Sequence, residues 1–196
     1  MSEAPTPQVS GEPRVVETSK GPVLVIDHPM RAIMIDKVVV NIALGQSGER
    51  LHKVAKILES ITGQRPSLRK AKRTIKEFGI RKGEPIACMV TLRGRRAYEF
   101  LKKALEAIGN VVKVSSFDRF GNLSFGIREY ITIPGVKYDP TVGMFGMDVV
   151  VALARPGFRV ARRRRRRGTV PMRHRVTRDE AILFFKYVFG TRVLEE

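Results

Sequence analysis

RAIMIDKVVVNIALG, residues 31–45, decides the fold. The run is apolar and β-branched, with Pro29 before it and Gly45 at its end, which is the composition of a strand. Period two divides it, so that Val38, Val40 and Ile42 share one face while Lys37, Val39 and Asn41 share the other. The period then changes. In SGERLHKVAKILESITG, residues 47–63, Leu51, Val54, Ala55, Leu58 and Ile61 fall on one helical stripe. Ser47 is expected to cap the start of this helix and Gly63 to stop it.

Working outward, PIACMVTLRG places Ile86, Cys88, Val90 and Leu92 on one strand face and Ala87, Met89, Thr91 and Arg93 on the other. RRAYEFLKKALEAIG follows as a helix with Phe100, Leu101, Ala104, Leu105 and Ile108 inward and Gly109 as its stop. NLSFGIREYITIP alternates again, setting Ser124, Arg128, Tyr130 and Thr132 opposite Leu123, Phe125, Ile127, Ile131 and Ile133. MDVVVALA, residues 147–154, is one more strand, and a capping box from Thr177 to Glu180 opens a last helix through AILFFKYVF. The order strand, helix, strand, helix, strand, strand, helix predicts an α+β fold, with an antiparallel or mixed sheet and helices packed on one face. The helices consume the apolar strand face. The opposite face is then open and basic, lined by Lys37, Asn41, Thr91, Arg93, Arg128, Tyr130 and Thr132, and suited to RNA. Such a face can also be simply solvated. Residues 1–27 begin rich in Pro, Ser, Gly and Glu and read as a flexible tail. Residues 28–196 read as a single RNA-binding domain that includes an Arg-rich segment, 155–178.

Charge narrows the function. Lys and Arg number 37 against 19 Asp and Glu, a net charge of +18 at pH 7. An excess of that size repels itself unless a polyanion meets it, and nucleic acid rewards each cation that displaces a condensed counterion. A membrane is the other polyanion, yet no stretch approaches the ~18 consecutive apolar residues of a spanning helix. One cysteine, Cys88, on the apolar strand face, excludes an internal disulfide framework and suits a cytoplasmic protein. His28, His52 and His174 lie at no metal-ligand spacing, so neither a metal nor a cofactor is expected.

The excess is concentrated in two stretches. From Arg65 to Lys82 there are eight basic residues and one acid, Glu77, with Phe78 and Gly79 at what reads as a loop tip. From Val149 to Arg178 there are eleven Arg and no acid, including the unbroken run Arg162, Arg163, Arg164, Arg165, Arg166 and Arg167, expected to be mobile alone and ordered against RNA. Gly45 and Gly48 before a helix carry only the outline of a phosphate loop, since the Lys-Ser/Thr that completes one is absent. A nuclease would need clustered carboxylates, and Asp118, Asp139 and Asp148 have no such spacing. A general DNA-compacting protein would be served by the Arg run alone.

Four blocks carry more than composition: KVVVNIALGQSGERL; ITGQRPSLRKAKRTIKEFGIRKGEPIACMVTLRG; FGNLSFGIRE; and VKYDPTVGMFGMDVVV. In this order they resemble large-subunit ribosomal protein five, the 5S-rRNA-binding family, and its archaeal and eukaryotic branch more than its bacterial one. The resemblance implies a non-catalytic protein that anchors 5S rRNA in the central protuberance. It implies 5S contacts at Lys37, Asn41, Gln64 and Thr91, with Arg93 beside them. It assigns Thr74, Ile75, Lys76, Phe78, Gly79, Arg81 and Lys82 to a loop that reaches P-site tRNA. Large-subunit rRNA, met through the Arg run, a protein of the small-subunit head and neighbouring 5S-binding ribosomal proteins are the further partners it implies. The longer N-terminal lead and the purity of the Arg run depart from the family pattern.

Overall fold

The computed structural model describes residues 13–26 and 28–195. The chain opens with a hairpin of β1 (Arg14–Thr18) and β2 (Gly21–Val25), then β3 (Met34–Ala43) and α1 (Glu49–Thr62). β4 (Ser67–Lys70), β5 (Pro85–Leu92), α2 (Arg95–Ala107), β6 (Val111–Lys113), β7 (Leu123–Ile127) and β8 (Met147–Ala154) follow. A single turn, α3 (Arg159–Arg162), precedes α4 (Arg178–Phe189) and β9 (Arg192–Leu194). The main sheet runs β4-β5-β3-β8-β7, every neighbour antiparallel, with β3 at its centre.

The two-residue period of β3 and β5 holds as read. Val38, Val40 and Ile42 are buried, together with Cys88, Val90 and Leu92 of β5 and Val149 and Val151 of β8. α1 packs on β5 and α2 on β3, closing a core with Leu51, Val54, Leu58, Phe100, Leu101 and Leu105. Gly63 ends α1 in the left-handed region at φ 65° and accepts no side-chain strain there. Cys88 is fully buried, and burial pushes its thiol up to about 11, far from the thiolate a nucleophile needs.

Three expectations are corrected. Residues 14–26 are not a loose tail: Leu24 and Ile26 are fully buried, and Leu24 exchanges both backbone hydrogen bonds with Ile33 at 3.1 and 2.8 Å. The remainder of the expected tail, residues 1–12 and 27, lies outside the described residues. The strand expected through Thr132 stops at Ile127, and Tyr130–Thr132 is a 3-10 turn. Tyr130 therefore leaves the open face. Its ring is fully buried and stacks on Phe145 at 4.2 Å between centroids, and its hydroxyl accepts the Asp139 N–H at 3.0 Å. Thr132 turns back to donate to the Glu129 carbonyl at 2.7 Å. Finally, Gly48 rather than Ser47 occupies the cap of α1, because the Ser47 hydroxyl donates to Glu84 instead.

α4 begins as its capping box requires. The Thr177 hydroxyl accepts from the Glu180 N–H at 3.4 Å, and Glu180 Oε2 accepts from the Thr177 N–H at 3.0 Å. The other oxygen, Oε1, takes Arg155, which is 3% exposed at the end of β8, and Arg31 at 3.3 Å. One buried carboxylate thus joins the helix start, the exit of β8 and the turn after the N-terminal hairpin. Removing it leaves Arg155 as an uncompensated buried charge, a loss of about 3–5 kcal/mol. Glu180→Ala should lower stability by that order in urea unfolding. Glu99→Ala, which breaks the exposed pair with Arg95, should cost less than about 1 kcal/mol.

Candidate nucleic-acid interface

Register fixes which side chains share the face that the helices leave uncovered. Val39 stands between Thr91 of β5 and Val150 of β8, and Asn41 between Met89 and Asp148. Lys37 pairs with Ala152, Ser124 with Val150, Gly126 with Asp148, and Arg69 with Ala87. Paired residues point to the same side, so this face is a shallow floor of Val, Ala, Thr, Ser and Gly, with Met89 the one long apolar side chain among these positions. Lys37 and Arg69 give the ladder its positive charge and Asp148 its negative charge. The larger excess lies at the margins, in the β4–β5 loop and the Arg run. The outward residues of β7 and β8 were readable from the same period, once β8 is seen to neighbour β3.

The structure gathers the four residues that the 5S resemblance picks out. Lys37 and Asn41 lie on one face of β3, four residues or roughly 13 Å apart. Thr91 sits across from Val39 between them. Gln64 arrives from the end of α1, and its amide donates to the Thr91 carbonyl at 3.2 Å. That bond uses the amide nitrogen. The Gln64 side-chain oxygen and the Thr91 hydroxyl, both on part-exposed residues, are available to a partner. Arg128 lies just past β7, lining a cleft with Asn41 and Asp148.

Arg93 and Arg162 meet at Asp36. Arg162 closes a fork on both carboxylate oxygens, Nη1 to Oδ1 at 2.6 Å and Nη2 to Oδ2 at 2.8 Å, while Arg93 Nη1 donates to Oδ1 at 3.1 Å. Asp36 occupies the step where the β3–β8 register shifts, between Ile35 and Lys37. The first arginine of the run is therefore held by the protein itself. Arg163, Arg164, Arg165, Arg166 and Arg167 are exposed beyond it. Sequence separation hid this cluster, since Asp36 and Arg162 are 126 positions apart.

Residues 71–84 form the basic loop between β4 and β5, at the sheet's edge. Ala71 and Glu84 close its base, Ile75 and Ile80 bridge above it at 2.9 and 3.1 Å, and Thr74 accepts the Lys82 N–H at 3.0 Å. The reversal falls at Lys76–Gly79, with Gly79 at φ 65° and Phe78 71% exposed at the tip. Thr74, Lys76, Phe78, Arg81 and Lys82 are all exposed. The loop thus offers its cations and Phe78 to solvent. Asp118, Asp139 and Asp148 fall in a turn, a second turn and the sheet face, and among the described residues no three acids, histidines or cysteines group as metal ligands.

Burial pushes the Asp36 carboxyl up, but the Arg162 hydrogen bond and charge, with Arg93 and Lys37, outweigh it and hold it below the usual carboxylate value. A depressed folded value stabilises above the unfolded one, about 4, and that stability is lost as pH falls through the folded value. Asp36→Asn should lower stability at pH 7 by about 1–3 kcal/mol. It should also flatten the loss between pH 4 and lower pH, read by urea unfolding across that window.

Comparison with known proteins agrees with the four sequence blocks. The family described as "Ribosomal protein L5" matches residues 28–81, and the "ribosomal L5P family C-terminus" matches residues 85–184. The large ribosomal subunit protein uL5 of Aeropyrum pernix is 60% identical over 163 residues, 83% of this chain and 85% of the relative. The uL5 protein of Pyrobaculum aerophilum is 58% identical over 171 residues, 87% and 96% of the two chains, and that of Sulfurisphaera tokodaii 54% over 169, 86% and 96%. All three relatives are archaeal, the branch that the KYDPTVGMFGMD block resembles. With both halves of the family matched in order across the sheet, its open face and α4, the chain belongs to the ribosomal protein L5 family.

Proposed function

We propose that this chain, a non-catalytic protein of the large ribosomal subunit in the cytoplasm, binds 5S rRNA on the open face of its sheet. The observation that carries the reading is the convergence of Lys37, Asn41, Thr91 and Gln64 on one uncovered surface. A Lys there meets phosphate, and amide and hydroxyl groups meet 2′-hydroxyls and base edges. The small side chains between them let an RNA backbone approach the sheet closely. Arg93, exposed and bonded to Asp36 through Nη1 alone, extends the surface at the end of β5. The exposed arginines from Arg163 to Arg167 meet large-subunit rRNA through phosphates. On this reading, which the family resemblance supports, the chain sits in the central protuberance, beside neighbouring 5S-binding ribosomal proteins and within reach of a protein of the small-subunit head.

The loop from Thr74 to Lys82 serves a different partner, P-site tRNA. Its support is the exposure of the tip beyond the Ile75–Ile80 bridge, and the combination of Phe78 with Lys76, Arg81 and Lys82. An aromatic among cations suits a nucleic acid that arrives after assembly.

The two surfaces are separable by mutation. Asn41→Ala and Thr91→Ala should each weaken binding of 5S rRNA by ~1 kcal/mol or more, because each leaves an RNA group without its hydrogen-bond partner. Filter binding measures the loss, and thermal unfolding should move little; equal losses in both would make the residues structural. Shortening the loop across Lys76 to Arg81 should leave 5S binding nearly intact while tRNA leaves the P site faster on reconstituted ribosomes. Lost 5S binding with normal tRNA residence would refute the tRNA assignment.

A further inference from the structure

At the Lys37 end of the open sheet face, a cleft of about 450 Å3 lies between the sheet and the segment running from Phe158 to Val176. Its lining includes Lys37, Phe120, Asn122, Arg167 and Arg175, of which only Lys37 and Arg167, the last arginine of the run, have a role so far. Asp36 is the one acid among the lining residues, and both its oxygens are engaged by Arg162 and Arg93. With Asp36 taken by these two arginines, no lining acid is left for Lys37, Arg167 and Arg175. Two guanidinium groups also crowd one ring, Arg119 at 4.7 Å and Arg175 at 5.1 Å from the Phe120 centroid. Like charges gathered on a single aromatic are an arrangement that an anion relieves.

The ring is built in rather than draped. Asp118 Oδ1 accepts the N–H groups of Phe120 and Asn122, each at 2.8 Å, and its Oδ2 accepts the Asn122 amide at 2.8 Å. Gly121, at φ 72°, sits so close to the entry of α4 that a Cβ there would meet Val176 Cγ1 at 2.8 Å and the Thr177 carbonyl at 3.0 Å. The turn is thus seated on α4 without slack, and Phe120 is presented at low entropic cost.

We propose that this cleft holds one unpaired nucleotide of the RNA bound on the sheet, its base stacked on the Phe120–Arg175 surface and its phosphate met by Lys37 and Arg167. The chemistry matches part for part. A base offers a flat face to an aromatic ring or a guanidinium plane, and its phosphodiester offers one negative charge to the cations opposite. Asn122 and Thr169 supply amide and hydroxyl groups for the base edge. A paired, stacked base presents no free face, so the nucleotide is one turned out of its helix. Lys37 and Ala152 belong both to the sheet floor and to the cleft, so RNA on the floor runs directly into it. The inference rests on the 5S reading above and adds a site that shares only Lys37 with the four residues that carry it.

The chain contains no tryptophan, which makes the test direct. Phe120→Trp places a single indole in the cleft, and 5S rRNA should quench its emission along the same curve that filter binding follows. Phe78→Trp, at the loop tip, should keep its emission through the same titration. Phe120→Leu should weaken binding roughly tenfold or more, the scale of one lost base stack. Its salt dependence should be unchanged, since stacking releases no counterions. Complete 5S retention with unquenched emission from Phe120→Trp, or wild-type affinity of Phe120→Leu, would overturn the cleft and leave the 5S reading standing. A wild-type chain that did not retain 5S rRNA would overturn that reading and the cleft together.

Discussion

A single layer of helices can cover only one face of a sheet, and the rest of this structure follows from that limit. β3 and β5 turn Val38, Val40, Ile42, Cys88, Val90 and Leu92 toward α1 and α2, and each apolar residue placed there commits its neighbours to the other side. Those neighbours are Lys37, Asn41 and Thr91. The uncovered face is therefore not surplus surface but the necessary complement of the core. Apart from Met89 beside Asn41, Ala, Val, Ser and Gly fill the positions between the polar ones. A floor of that kind is solvated when alone and admits a close polar partner.

A chain with so large a positive excess must also keep its arginines from disrupting its own packing. Two carboxylates do this in the described residues. Glu180 accepts Arg155 and Arg31 where α4 starts, and Asp36 accepts Arg162 and Arg93 where β3 shifts register. Each acid holds two cations. Glu180 lies in the interior and secures structure. Asp36 lies at the rim, and it sets where the exposed part of the Arg run leaves the body of the protein. The cleft beside Phe120 opens between that exit and the sheet floor, which joins the proposed nucleotide site to the proposed 5S surface through Lys37.

The sequence by itself determined the strand faces, the three long helices, the αL stop at Gly63 and the capping box at Thr177, because each is set by residues within a turn or two of one another. It also determined the family, since the four blocks carry the residues that the open face displays. It did not determine the hairpin of β1 and β2, whose Pro- and Gly-containing segments form strands because Leu24 and Ile26 find a place in the core beside Ile33. It misplaced Tyr130, since the alternation continues past Ile127 while the chain turns away to bury that ring on Phe145. The Asp36 and Glu180 hubs and the contact of Gln64 with Thr91 were decided only by tertiary structure. They join positions separated by 25 to 149 residues, a distance over which local periodicity carries no information and only the closing of the sheet brings the partners together.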